Sequence, residues 1–144
     1  MSVKTLSDDI VIIVLPAEPR TRRELADITE RCSKKCNFDV MIDFHFVEVL
    51  TSTSISDLIT LRSWVEGADR KLVLYNVRVI TRCIFDVAGI DGLFKFADDQ
   101  DDALRVIRKA RRHRQQSADT DKKQNTSAKK SSVRSKLRRI LGHR

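Results

Sequence analysis

Thr51, Ser52, Thr53 and Ser54 are four hydroxyl residues in a row, and they form the stretch of this chain best suited to chemistry. A serine or threonine hydroxyl can accept a phosphoryl group, which adds about −1.5 to −2 charge at pH 7. The four stand between two kinds of periodicity. Phe38, Val40, Ile42 and Phe44 are two apart, the spacing of one strand face. Ile55, Leu58, Ile59 and Val65 follow at the spacing of one helical stripe. A helix leaves its first amide groups unpaired. A phosphate on this turn would meet free N–H groups and the positive end of the helix dipole, so the fold should tolerate it. A partner docked over the turn would meet new charge and bulk. The same hydroxyls can equally serve only to cap and shape the turn.

Other reactive residues do not assemble into a site. Cys32 and Cys36 are separated by three residues, with Cys83 and His45 as further conceivable ligands. Structural zinc needs a second short-spaced pair, which the sequence lacks. Asp98, Asp99, Asp101 and Asp102 precede Leu104, Val106 and Ile107, with Arg108, Lys109, Arg111 and Arg112 behind them. Acid at the start and base at the end complement a helix dipole at about 0.3–1 kcal/mol per charge, so the acidic cluster reads as a helix start and not a metal site. His45 would face opposite Phe44 on the surface, with no Ser-His-Asp or Cys-His set around it. Four glycines include no phosphate-binding loop. No catalytic residue, cofactor, metal or small-molecule substrate is expected. Cys32 and Cys83 fit core faces; Trp64 and Arg62 fit a protein interface, and Trp64 equally fits the core.

The elements that must position the turn follow from the apolar pattern. Asp9–Leu15 reads as a buried strand closed by Pro16 and Pro19. Thr21 and Glu24 match a capping box, ahead of a helix with Leu25, Ile28 and Cys32 on one face and an end near Lys35. Ser54 and Asp57 match a second cap, setting the next helix start near Ile55 and its end near Gly67. Lys71–Tyr75 is a short strand. Asn76 is a candidate N-cap, and Val79, Ile80, Cys83, Ile84 and Val87 line the helix after it, up to Gly89. Leu93–Phe96 reads as a brief last strand. The order β-α-β-α-β-α-β-α predicts an α/β fold, a small, mostly parallel sheet of four or five strands with about four helices.

The net charge of +8 is lopsided: residues 115–144 hold nine Lys/Arg against two Asp/Glu, and 1–114 hold nineteen against eighteen. The expected division is a domain at 1–114 and a basic, disordered tail at 115–144. Within the tail, 133–141 carries Val133, Leu137, Ile140 and Leu141 at helical spacing among basic residues, a pattern that suits an anionic membrane, nucleic acid or an acidic partner, or simply a solvated tail. No apolar run approaches the roughly 20 residues that span a bilayer. The start MSVKTLSDDIVIIVLP lacks a charged leader and a cleavage site, and three cysteines argue against a disulfide framework. A cytoplasmic location is expected.

Over about residues 9–110 the chain resembles the STAS family, named for sulfate transporters and anti-sigma-factor antagonists. The resemblance rests on Ile42-Asp43-Phe44 and Val47-Glu48-Val49-Leu50 ahead of Thr51–Ile55. It also rests on Leu72-Val73-Leu74-Tyr75-Asn76, on Val87-Ala88-Gly89-Ile90-Asp91-Gly92-Leu93-Phe94, and on the Asp-rich start of the last helix ending in Ala103-Leu104. It implies a STAS-like fold and a non-catalytic, anti-sigma-factor-antagonist role in a phosphorylation-controlled partner switch. The implied partner is an anti-sigma factor or Ser/Thr protein kinase of the histidine-kinase-like ATPase type. The family's switch serine falls on Ser52, with Thr53 and Thr51 as alternates. Thr51 stands where the family has an acid, and Ser54 where it has glycine. The implied docking face is Thr51–Ser54 with Ser56, Thr60 and Ser63. The alternative reading is a STAS-like scaffold tethered to anionic membrane or nucleic acid by its basic tail.

Overall fold

The apolar run Ile10–Val14 forms β2, and it is paired with a strand in front of it that the apolar pattern does not mark: β1, Ser2–Ser7. The two are antiparallel, joined at Asp8 and Asp9, where the Ser7 hydroxyl donates to Asp9 Oδ1 at 2.8 Å. Then follow α1 (Arg20–Lys34), β3 (Asp39–Asp43), α2 (Ser52–Gly67), β4 (Leu72–Tyr75), α3 (Val79–Val87), a 3-10 turn (Asp91–Leu93), β5 (Lys95–Ala97) and α4 over 100–114. These bounds come from a computed structural model that describes residues 2–114; the basic tail and its 133–141 segment lie outside the described residues. The chain divides into a unit Met1–Ile107, which holds the whole sheet, and a unit Arg108–Arg144.

The five strands lie in chain order, β1-β2-β3-β4-β5, with every pair from β2 onward parallel. Parallel crossovers of one hand that step in one direction place their helices on one face of the sheet. The packing follows that rule. Ile13, Leu15, Val40, Ile42, Phe44 and Leu74 meet Leu25, Ile28, Leu58, Leu61, Val65 and Phe85 of α1, α2 and α3. On the other face Ile12, Met41, Val73 and Tyr75 meet Ala103 and Ile107 of α4. The central strand β3 is therefore buried on both sides, as parallel strands are. Each large apolar side chain fully buried here contributes about 1.5–3 kcal/mol. Asp39, buried at the start of β3, accepts from the Lys71 amide at 2.8 Å and so ties β3 to the entry of β4.

Four local expectations give way to longer-range contacts. The capping box at Thr21 does not form: α1 starts at Arg20 without a side-chain cap bond, and the buried Thr21 hydroxyl donates to Pro16 O at 2.6 Å. Helix α2 starts at Ser52, three residues before the expected Ile55, because Thr51 and not Ser54 is its cap. Asn76 is not an N-cap; it takes a left-handed φ of 54° and donates from Nδ2 to Asp43 Oδ1 at 3.1 Å, while α3 begins after Arg78. Lastly, α3 is turned away from its apparent stripe. Thr81 and Phe85 face the core, whereas Val79, Ile80, Cys83 and Val87 are exposed. The Phe85 ring sits edge-on to Phe44, Phe94 and Phe96, with centroids 5.4 to 6.3 Å away. The Thr81 hydroxyl donates to the Val47 and Glu48 carbonyls, and these contacts set the rotation.

Candidate functional site: the β3–α2 turn

The turn is built from the end of β3 outward. The Phe44 amide donates to Tyr75 O at 3.0 Å, extending β3 beside β4 by one residue. Asp43 Oδ1 accepts from the His45 amide at 2.9 Å as the chain leaves the sheet. Phe44, Val47 and Leu50 are buried, while His45, Phe46 and Val49 point outward. The loop is also held from the α3 side. Arg78 pairs with Glu48 at 2.7 Å and donates to His45 O at 3.3 Å, next to the two bonds from Thr81. Three buried anchors and four hydrogen bonds thus deliver the chain to Thr51 in a fixed position.

The four hydroxyls then divide into two pairs. Thr51 Oγ1 accepts from the Ser54 amide at 3.1 Å, the N-cap bond of α2. Ser54 is fully buried, and its hydroxyl donates to Glu18 Oε1 at 2.6 Å. The same oxygen lies 3.4 Å from the Thr51 amide and from Thr51 Oγ1. Glu18 belongs to the loop between β2 and α1, so a carboxylate reaches the start of α2 from a distant part of the chain. By contrast, Ser52 and Thr53 are exposed, and neither side chain has a hydrogen-bond partner among the described residues. They sit on the first turn of α2, which has no acidic residue of its own.

Down the helix, Ser56, Thr60 and Ser63 are exposed, and the Thr60 hydroxyl donates to Ser56 O at 2.9 Å. With Ser52 they share one small, polar face at helical spacing. Trp64 is 46% exposed at the far end. Arg62 turns to Leu93 O and to Glu66 and takes no part in that face. His45 is exposed, with its ring edge-on to Phe46 at 5.0 Å. Among the described residues no group of three His, Cys, Asp or Glu side chains converges as metal ligands would. The acidic run behaves as a helix start: Asp99 Oδ1 accepts from the Asp102 amide at 2.8 Å, and Asp102 Oδ2 accepts from the Asp98 amide at 3.1 Å. Sequence reasoning misses Glu18, because no local pattern signals a contact across 33 or 36 residues.

The architecture has close counterparts among solved structures. A STAS domain protein from Planctomyces limnophilus superposes with a TM-score of 0.62 at 17% identity, over 73% of this chain and 97% of that one. The chain has the STAS fold. A candidate anti-sigma factor antagonist from Thermotoga maritima gives a TM-score of 0.63 at 15% identity, over 74% of this chain and 93% of its own. The anti-sigma factor antagonist SpoIIAA in its unphosphorylated form gives 0.58 at 14% identity, over 74% and 96%. The phosphorylated form of SpoIIAA, the Bacillus cell fate determinant, gives 0.57 at 15%, over 73% and 97%. No family model matches the sequence, and no curated protein does. Among the described residues no helix of this STAS fold is long and apolar enough to cross a membrane.

Proposed function

We propose that this chain is a non-catalytic STAS-type interaction domain that works as an anti-sigma-factor antagonist, switched by phosphorylation of Ser52. The observation that carries the reading is the division of the turn's hydroxyls. Thr51 and Ser54 are committed to the cap and to Glu18, which leaves Ser52 and Thr53 exposed at the start of a helix and without a side-chain partner among the described residues. Phosphate at Ser52 would lie against first-turn amides and the dipole, a placement that stabilises it without refolding. The likeness in fold to SpoIIAA, whose structure is known with and without phosphate, supports phosphorylation as the switch. The partner is an anti-sigma factor or Ser/Thr kinase of the histidine-kinase-like ATPase type, docking over Thr51–Thr53 and the Ser56, Thr60 and Ser63 face, in the cytoplasm.

The test begins with a pull-down of the native partner, followed by phosphosite mass spectrometry and binding of Ser52→Asp. The variant should keep its circular dichroism and bind at least tenfold more weakly. Unchanged affinity, with phosphate found only elsewhere, would remove Ser52 from the role. A second reading is motivated by the charge of residues 115–144, with nine basic and two acidic residues. In it the tail tethers the domain to anionic membrane or nucleic acid with a steep salt dependence. Association with anionic vesicles or nucleic acid that survives removal of 115–144 would exclude it.

A further inference from the structure

Two cysteines lie at the opposite end of the α1–α2 pair from Ser52. Cys32, in the last turn of α1, is 3% exposed, and Cys36 is half-buried just beyond the helix end. Both residues line one cavity of about 430 Å³, which Ser63, Trp64 and Gly67 of α2 also line. Cys36 lies near enough to Cys32 to act on its thiol electrostatically. The Cys36 thiol donates to Phe38 O at 3.6 Å. Lys35, the residue between the helix and Cys36, is extended (φ −159°, ψ 113°), so Cys36 lies outside the helical ladder and is not held to helical geometry.

We infer that Cys32 and Cys36 form a reversible intramolecular disulfide when the protein meets a peroxide. The inference is independent of the partner-switch reading. The Cys36 sulfur, the more accessible of the pair, attacks one oxygen of hydrogen peroxide. The O–O bond breaks, one water leaves, and Cys36 becomes a sulfenic acid. The Cys32 sulfur then attacks the Cys36 sulfur, the S–O bond breaks, and the departing hydroxide takes the Cys32 proton as a second water. Two thiols are oxidised by two electrons and the peroxide is reduced to two waters. The order of attack follows from the surroundings. Burial pushes the Cys32 thiol up to about 12, the adjacent Cys36 adds to the rise, and Arg31 opposes it, so the buried Cys32 stays protonated and the more accessible Cys36 is oxidised first. Both residues line one cavity and Cys36 stands outside the helix, so its side chain is free to bring the sulfurs to the disulfide length of about 2.05 Å. A pair that solvent reaches through an open cavity belongs with labile, regulatory disulfides. Cys83, exposed on α3, serves as an internal control.

The experiment treats the reduced full-length chain with hydrogen peroxide, quenches it, alkylates it unfolded and maps the digest by mass. The expected product has Cys32 and Cys36 linked within one chain, lighter by two hydrogens and restored by dithiothreitol. In Cys36→Ser, peroxide should leave Cys32 fully alkylatable, a complete loss of protection. Cys36 advancing to sulfinic acid beside a free Cys32 would overturn the proposal. So would a disulfide from Cys36 to Cys83 of a second chain, or oxidation of Cys83 that leaves both other thiols reduced.

Discussion

A buried hydroxyl that already donates to a carboxylate is closed to chemistry, and an exposed one with no partner is open. Ser54 and Ser52 are the two cases within one helical turn. The difference should appear in stability. Ser54→Ala leaves Glu18 without its closest donor and should cost about 1–2 kcal/mol in urea unfolding, while Ser52→Ala should stay within about 0.5 kcal/mol. The hydroxyl run is plain in the sequence, but the split is not, because it is made by Glu18 from another loop. Where the family resemblance expects an acid at position 51, the carboxylate arrives instead from position 18. A second residue-scale prediction concerns alkaline pH. Burial, with Asp43 adding, raises the Tyr75 phenol to about 12 from 10.0, and burial raises Cys32 to about 12 from 9.0. The folded state thus holds these protons more tightly than the unfolded one, so their contribution is complete below about pH 9 and is lost as pH climbs toward 12. Urea midpoints measured from pH 8 to 11.5 should fall, and Tyr75→Phe should flatten part of the decline.

At the scale of elements, strands were easier to read than helix faces. The runs 10–15, 38–44 and 71–75 are apolar enough to announce a buried sheet. Strand β1 is invisible by the same criterion, because Ser2–Ser7 sits at an edge, mostly exposed, and needs no alternation. Helix α3 shows the opposite failure. Its sequence offers Val79, Ile80, Cys83 and Val87 as a stripe, yet an aromatic cluster around Phe85 and the Thr81 bonds to the β3–α2 loop choose another face. In a nine-residue helix, tertiary contacts outweigh amphipathic pattern. Phe85→Ala should therefore cost about 3–5 kcal/mol by opening a cavity. Val79→Ser, at 83% exposure, should change the urea midpoint by less than about 0.5 kcal/mol equivalent.

At the scale of the molecule, both sheet faces must be covered, and α4 supplies the second cover through Ala103 and Ile107. A chain ended after Arg114 should keep its cooperative unfolding and lose at most a few degrees of Tm, by differential scanning calorimetry. A chain ended after Asp98 should not fold cooperatively, because Met41, Val73 and Tyr75 would be laid open to water. The order of apolar runs announces the sheet; how α4 meets it could not be read from any local window. One feature also supplies an optical handle. Trp64 is the chain's single tryptophan, and it stands twelve residues along α2 from Ser52, about 18 Å at 1.5 Å per residue. It shares its cavity with Cys32 and Cys36. A disulfide is a strong quencher of indole emission, so thiol oxidation should dim the fluorescence of this protein, whereas phosphate arriving at the other end of the helix should leave it unchanged. One fluorophore would then separate the two chemistries in a single cuvette.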